Sequence, residues 1–553
     1  MMNTPMPCQE KLTTSLKPIF AREFWTLKAV LELQAVKNSA SPFLQWTHEN
    51  EPLSFSEVNS VSNRHANGFL KLGIEKGDRV VLFQENSLSH AFCWFGCAKI
   101  GAVDAPINAT FKGAFLAHQM NLCAARYAIV DADLVERLVE IQDDLLHLET
   151  LIVVGDLQAA QALKATIKVL SLEEVISANV ENPSIQVAIS DPATIQFTSG
   201  TTGPSKGVLM PNGSLHLNAE QTILLHNITQ QDTFMSPFPL FHGSGRQTSV
   251  YPMLLAGGLC VLYPKFSGTR FLDRAKASGA TITMFHGSML QMIAQQTPSE
   301  ADRAHRLRSA LCIPLPYTLK AGFEERFGIA LKEIIGMTET SITIMPPPGV
   351  EPPKGYAGCL ISDFYDARVA DPQTDEEVPD GVMGELQIRP KMPWSIMLGY
   401  ENMPAETIAA TTNLWFHTGD GVIRSPEGWF GFVDRIKDSI RRRGENISSF
   451  EVEYQLLKHP AVSECAIVGV RLDKEIKDEE VKAFIVLRSG MTVDEQSIVA
   501  WCEELLPLFA VPRFIEFIDS LPKTPTGKTQ KHKLRHDPIN KRVWDRLAVK
   551  SDN

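Results

Sequence analysis

Between residues 78 and 340, short apolar runs alternate with longer segments of helical periodicity, and this alternation constrains the fold most. Residues 79–83, 127–130, 151–154, 194–197, 259–263, 281–285 and 331–335 read as buried strands. Segments 87–100, 214–227 and 317–327 between them read as amphipathic helices, and 92–100 is apolar enough to be a buried one. Strands separated by helices predict parallel sheets covered by helices. The expected class is therefore α/β.

Two changes of texture divide the chain. From about residue 350 to 434 Pro and Gly become frequent, and 385–389 and 430–433 read as short strands, which predicts a small β-rich, barrel-like unit. After Asp438 comes an order of helix 451–458, strands 466–470 and 481–487, helix 493–505 and strand 513–517. That order predicts a compact α+β domain. The expected division is an N-terminal domain over 1–434, a hinge over 435–438 and a mobile C-terminal domain over 439–553.

Charge and composition exclude several classes. The 553 residues carry 53 Lys and Arg against 64 Asp and Glu, a net charge of −11, which argues against nucleic-acid binding by bulk charge. Hydrophobic residues at 44% exclude a disordered chain. The nine Cys show no zinc spacing and no disulfide framework; Cys93 and Cys97 lie four apart on one helix. No signal peptide and no run of about 18 apolar residues are seen, so no membrane span and a cytoplasmic location are expected.

The sharpest local feature runs Phe197-Thr198-Ser199-Gly200-Thr201-Thr202-Gly203-Pro204-Ser205-Lys206-Gly207. It follows a predicted strand. Its glycines let backbone N–H groups approach an anion, and its hydroxyls and Lys206 add donors. The set suits a polyphosphate, although Ser205 before Lys206 breaks the Walker A pattern. The alternative is a flexible Ser/Gly surface turn.

This segment resembles the phosphate-binding signature of the adenylate-forming superfamily, which includes acyl-CoA synthetases, peptide-synthetase adenylation domains and beetle luciferases. Further motifs resemble that family in order: Gly336-Met337-Thr338-Glu339, then Phe416-His417-Thr418-Gly419-Asp420, then Val433 to Asp438 with Arg443-Gly444-Glu445-Asn446-Ile447, and finally Pro525-Thr526-Gly527-Lys528. The resemblance spans about residues 30 to 540. Around Phe92-Cys93-Trp94-Phe95-Gly96 and Pro106-Ile107-Asn108-Ala109 the texture is most similar to the crotonobetaine/carnitine-CoA ligase branch.

The resemblance implies an AMP-forming acyl-CoA synthetase using ATP, Mg²⁺ and CoA. A carboxylic acid becomes acyl-AMP with release of pyrophosphate, and the acyl group then passes to CoA. It implies that Lys206, Thr198, Ser199, Gly200, Thr201, Thr202 and Gly203 hold phosphates, with Gly336, Met337 and Thr338 also at the nucleotide. Glu339 would ligate the metal and Asp420 would accept from the ribose hydroxyls. Arg435 would add a charge-assisted contact. Lys528 would bridge the attacking carboxylate and the α-phosphate. Lys437 would be the pivot between half-reactions. Arg443, Gly444 and Glu445 would serve CoA, and His242 and Cys312 the acyl gate and pocket. Residue by residue, the bland alternatives are a helix-start charge for Glu339, an N-cap for Thr338, a turn for Asp420, a surface ion pair for Arg435, a solvated Lys528 and a core His242.

The chain also departs from the family pattern. Ile335 stands where the family carries an adenine-stacking Tyr, and Leu311-Cys312-Ile313-Pro314-Leu315-Pro316 replaces a run of small residues. Arg246, soon after His242, either faces an anionic tail of the acid or points to solvent. The stretch Arg435 to Glu445 has a net charge of +3, either a CoA phosphate surface or a solvated charged face. The carnitine-type substrate is therefore not carried over. A carrier-protein thiol as acceptor, or an inactive nucleotide-binding homologue, are the competing readings. Only 25 residues follow Lys528, which predicts no fused carrier. Monomer and homodimer are both open.

Overall fold

A computed structural model describes residues 12, 17–198, 205–436, 440–442, 445–447, 449–472, 479–506, 508–523, 529–535 and 542–548. Two large, mostly parallel sheets form its body. One has eight strands and ends on the antiparallel hairpin Pro192–Thr198 and Lys206–Pro211, extended by Gly399–Tyr400. The other has seven strands, parallel except for a short edge hairpin, Pro42–Trp46 with Leu53–Ser54. This is the α/β class expected from the alternation.

Local chemistry explains the covering helices. Ser87 accepts a hydrogen bond from the His90 N–H, and Gly101 ends the helix Leu88–Ile100 in the left-handed region at φ 70°. That helix is apolar almost all round and is buried accordingly. Asn212–His226 departs from its amphipathic reading and is buried on nearly every side. Several of its polar groups find partners within the protein: His216 meets Tyr251 and Glu220, Thr222 donates to the Asn218 carbonyl, and His226 Nδ1 meets Ser309. Satisfied polar groups make such burial tolerable.

The run 331–335, read as one strand, is two. Ala330–Lys332 closes the seven-stranded parallel sheet, whereas Ile335–Met337 opens a seven-stranded antiparallel one. The charged pair Lys332-Glu333 interrupts the run where the chain changes sheets. The β-rich unit therefore begins at Ile335 rather than near residue 350, and the Gly336 to Glu339 motif belongs to its first hairpin.

In the C-terminal region, Val462–Val470, Glu480–Leu487, Phe514–Phe517 and Trp544–Asp545 form a four-stranded sheet covered by Ser449–Leu457 and Glu495–Leu505. It has its own apolar cluster, including Ile467, Ile485, Ile498 and Ile515. Among the described residues no helix is long and apolar enough to cross a membrane.

Candidate active site

The hairpin Pro192–Thr198 with Lys206–Pro211 pairs Thr198 with Lys206, so the Ser/Thr/Gly segment is the loop that joins them. Ser199, Gly200, Thr201, Thr202 and Gly203 lie outside the described residues. The loop's far end is held by Ser205, whose carbonyl oxygen lies 2.9 Å from His118 Nε2 and whose Oγ accepts from Gln119 Nε2 at 2.9 Å.

Beside Lys206 sits Tyr400, a residue no motif pointed to. The two-residue strand Gly399–Tyr400 pairs with the Lys206–Pro211 strand and lays the Tyr400 ring 4.5 Å from Lys206 Nζ. The same phenol donates to Glu339 Oε1 at 3.0 Å. Glu339 lies in the turn between Ile335–Met337 and Ser341–Met345, and its carbonyl accepts from the Met397 N–H at 2.8 Å. Gly336 makes that close hairpin possible, because a Cβ there would stand 2.4 Å from the Ser341 carbonyl oxygen. Thr338 is half-buried in the same turn.

Glu339 is 4% exposed, and among the described residues its Oε2 has no hydrogen-bond partner. Burial raises its pKa, opposed by the Tyr400 hydrogen bond and by the positive charges of Arg435 and Lys206. An orphaned buried carboxylate oxygen is a hard donor left free for a cation. Among the described residues no group of three or more His, Cys, Asp or Glu could form a complete metal cage. A cation at Glu339 would draw its remaining ligands from substrate and water.

Asp420 and Arg435 face each other across adjacent strands of the antiparallel sheet, with Arg435 Nε 2.8 Å from Asp420 Oδ1. Arg435 also donates to the Thr418 carbonyl at 3.1 Å. Its charge reaches Glu339 and Tyr400, which joins this pair to the Lys206 cluster. Thr198, Lys206, Gly336, Met337, Thr338, Glu339, Asp420 and Arg435 thus lie on three neighbouring hairpins.

His242 lies in a loop fastened next to this site. Gln196, two residues before Thr198, donates to the Phe241 carbonyl at 2.6 Å, and Asn86 accepts from the Leu240 N–H at 2.7 Å. His242 Nδ1 accepts from the Ser244 N–H at 3.1 Å and so caps a short helix, which leaves Nε2 to carry the ring proton. Cys312 is placed elsewhere. It is fully buried in a cluster with Phe285, Phe323 and Leu331, and burial pushes its thiol pKa far up.

Arg246 follows neither sequence alternative. It is 1% exposed, its guanidinium forks onto Asp104 at 2.6 and 2.9 Å, and it lies 4.2 Å from the Trp94 ring centre. In the basic stretch, Arg442 is also buried; it pairs with Glu480 at 2.5 Å and donates to the Phe509 carbonyl. Arg442 is therefore part of the C-terminal scaffold and not of a solvated face. Lys437, Arg443, Gly444 and Lys528 lie outside the described residues. Glu445 begins the short strand Glu445–Ile447, with only its backbone described.

The candidate residues thus gather where the hairpin edge of a mostly parallel α/β sheet meets an antiparallel sheet, the architecture of an enzyme site. The sequence profile of the AMP-binding enzyme family matches residues 31–401, and that of the AMP-binding enzyme C-terminal domain matches 451–528. A crotonobetaine/carnitine-CoA ligase of Proteus mirabilis is 33% identical over 495 residues, 87% of this chain and 93% of its own. Anthranilate CoA ligase AuaEII, solved with anthranoyl-AMP, has a similar fold with a TM-score of 0.80 at 24% identity, over 93% of this chain and 97% of that one. ATP-bound MatB from Rhodopseudomonas palustris reaches 0.77 at 25% identity, over 92% and 98%. The chain belongs to the AMP-binding enzyme family, and its activity is that of an AMP-forming acid–CoA ligase.

Proposed function

We propose that this ligase activates a small carboxylic acid, with carnitine-type acids the first to test, and that the chemistry is carried by the cluster Lys206, Tyr400, Glu339, Asp420 and Arg435. The single observation behind it is that three hairpins bring a lysine, a carboxylate with an orphaned oxygen and a carboxylate–arginine pair to one place. The 33% identical carnitine-type relative supports the substrate class.

In the first half-reaction an oxygen of the acid attacks the α-phosphorus of ATP. A new P–O bond forms, the bond to the β-phosphate oxygen breaks, and pyrophosphate leaves. Thr198 and Lys206, with the loop between them, neutralise the departing phosphates. Asp420 accepts from the ribose hydroxyls, and Arg435 holds Asp420 in line. Glu339 Oε2 is the atom that would hold Mg²⁺, which when bound supplies positive charge against the phosphates. In the second half-reaction the CoA sulfur attacks the acyl carbonyl and AMP leaves with the C–O bond electrons. His242 stands at the entry of the acid.

The test is a panel of carboxylic acids, including L-carnitine and crotonobetaine, incubated with ATP, Mg²⁺ and CoA. AMP, pyrophosphate and the acyl-CoA are expected in equal amounts. ADP and phosphate as products would overturn the mechanism, and turnover of long-chain acids alone would overturn the substrate class.

A further inference from the structure

Asp420 is aimed by a distortion of its own strand. Gly384–Pro390 pairs with Phe416–Arg424, and the register slips between Glu385, opposite Gly421, and Gln387, opposite His417. Three residues, Thr418, Gly419 and Asp420, therefore fill the space opposite Leu386. This is a bulge, and bulges re-aim side chains at the cost of ladder hydrogen bonds. Gly419 adopts φ 68° within it.

The bonds lost from the ladder are replaced by side chains. Thr418 Oγ1 donates to the Leu386 carbonyl at 2.6 Å and accepts from the Asp420 N–H at 3.0 Å. The Gly419 N–H donates to Glu385 Oε1 at 2.9 Å. Glu385 Oε2 lies 2.8 Å from His417 Nδ1, the residue that leads into the bulge. Glu385 is 7% exposed. A buried carboxylate thus grips the bulge at its entry and at its apex, while Arg435 holds the Asp420 side chain from the other strand.

We propose that Glu385 is a positioning residue for ribose recognition: it fixes the Thr418–Asp420 bulge so that Asp420 meets the two ribose hydroxyls of ATP. The inference rests on the reading of Asp420 as the ribose carboxylate. A merely structural Glu385 would lower stability or turnover for every nucleotide alike. A positioning one acts on the contrast between ATP and nucleotides lacking a ribose hydroxyl.

The experiment measures kcat/KM for ATP and for 2′-deoxy- and 3′-deoxy-ATP by pyrophosphate exchange, in the intact enzyme and in folded variants. The wild-type enzyme prefers ATP, and Asp420→Asn abolishes the preference. Glu385→Ala is expected to raise the KM for ATP roughly 10- to 100-fold, the scale of a lost hydrogen bond to a charged group, with kcat changed far less. The preference for ATP falls with it. Glu385→Gln, whose carbonyl oxygen still accepts from the Gly419 N–H, recovers most of both. If the Ala variant does not fold, Glu385→Asp serves, since its carboxylate is withdrawn by one methylene and the same loss is expected. Full preference for ATP in the Ala or Asp variant, with Asp420→Asn having lost it, overturns the role of Glu385 alone. Full preference in Asp420→Asn, or none in the wild type, overturns the ribose reading and the inference with it.

Discussion

Asp434 Oδ2 accepts two hydrogen bonds from Ser449, one from its N–H at 2.7 Å and one from its hydroxyl at 2.6 Å. Asp434 ends the antiparallel sheet beside Arg435, and Ser449 begins the first helix of the C-terminal region. A carboxylate on one unit thus caps a helix on the other, where the helix dipole favours negative charge. Within the C-terminal region Lys531 pairs with Glu453 on the same helix at 2.7 Å. Asp434→Ala is expected to cost about 1–2 kcal/mol at this junction, the upper range for a lost cap. Asp434→Asn, which keeps an acceptor, should cost less. Limited proteolysis between residues 436 and 449 reads the effect. Equal cleavage rates in all three proteins would show that the cap does not hold the junction.

Arg246 and Asp104 form a buried pair whose partners cannot be removed one at a time. Arg246→Ala leaves the Asp104 carboxylate uncompensated and is expected to cost about 3–5 kcal/mol. Arg246→Met with Asp104→Leu should recover most of that, because an apolar pair of similar bulk carries no stranded charge. Denaturant midpoints of the single and double variants check this. A double variant as unstable as Arg246→Ala would mean that the pair has a further essential partner.

The ordered motifs are legible along the chain because each is a contiguous string whose residue types suit one chemistry. Tyr400 and Glu385 are not legible. Both act through strand register with residues distant in sequence, and neither Gly399-Tyr400 nor Gly384-Glu385 carries a local signal. Arg246 reads from sequence as facing either substrate or solvent because its partner Asp104, 142 residues away, lies on the strand Val103–Pro106. The parallel sheets were legible from their apolar runs. The switch of sheet at Glu333 and Ile334 is marked only by the charged pair Lys332-Glu333, too short a break to tell one strand from two.

Glu333 gives the fold a pH dependence of known sign. It is buried between the Leu315 N–H at 2.8 Å and the Tyr317 hydroxyl at 2.7 Å, and burial raises its pKa from 4.5 to about 7. Between those values the folded protein holds a proton that the unfolded chain has lost. Stability therefore falls as pH rises through this window, by up to roughly 3 kcal/mol, and the loss is complete above pH 7. Glu333→Gln removes the titration. Its melting temperature relative to wild type should rise from pH 5 to about 7 and level off above that. Parallel curves for the two proteins across that range would refute the assignment.

Lys528, on the loop that the resemblance makes catalytic, is expected to act in only one half of the reaction. Lys528→Ala should lose pyrophosphate exchange by several orders of magnitude, because its charge is needed where charge develops in the transition state. The same protein supplied with acyl-AMP and CoA should still form the thioester. Equal loss in both assays, in a protein with an unchanged melting profile, would remove Lys528 from the adenylation step.

Tyr400 touches Lys206 and Glu339 through two different parts of one side chain, so two substitutions separate them. The hydroxyl satisfies Glu339 Oε1, and the ring face receives the Lys206 ammonium. Tyr400→Phe keeps the ring and removes the hydroxyl, which leaves both Glu339 oxygens without a fixed donor. A buried carboxylate in that state is less well oriented and costlier to keep ionised. The Mg²⁺ concentration for half-maximal pyrophosphate exchange should then rise about 10-fold, as for the loss of one hydrogen bond to a charged group, with ATP affinity nearly unchanged. Tyr400→Leu removes the ring as well and frees Lys206 from its cation–π contact, worth about 0.5–2 kcal/mol. Calorimetric titration of ATP without divalent cation reads that second effect apart from catalysis. Lys206 should reach the phosphates with a changed affinity in the Leu variant and an unchanged one in the Phe variant. If both variants alter ATP binding alike and neither alters the Mg²⁺ requirement, Tyr400 is a packing residue and the link between Lys206 and Glu339 has no bearing on the reaction.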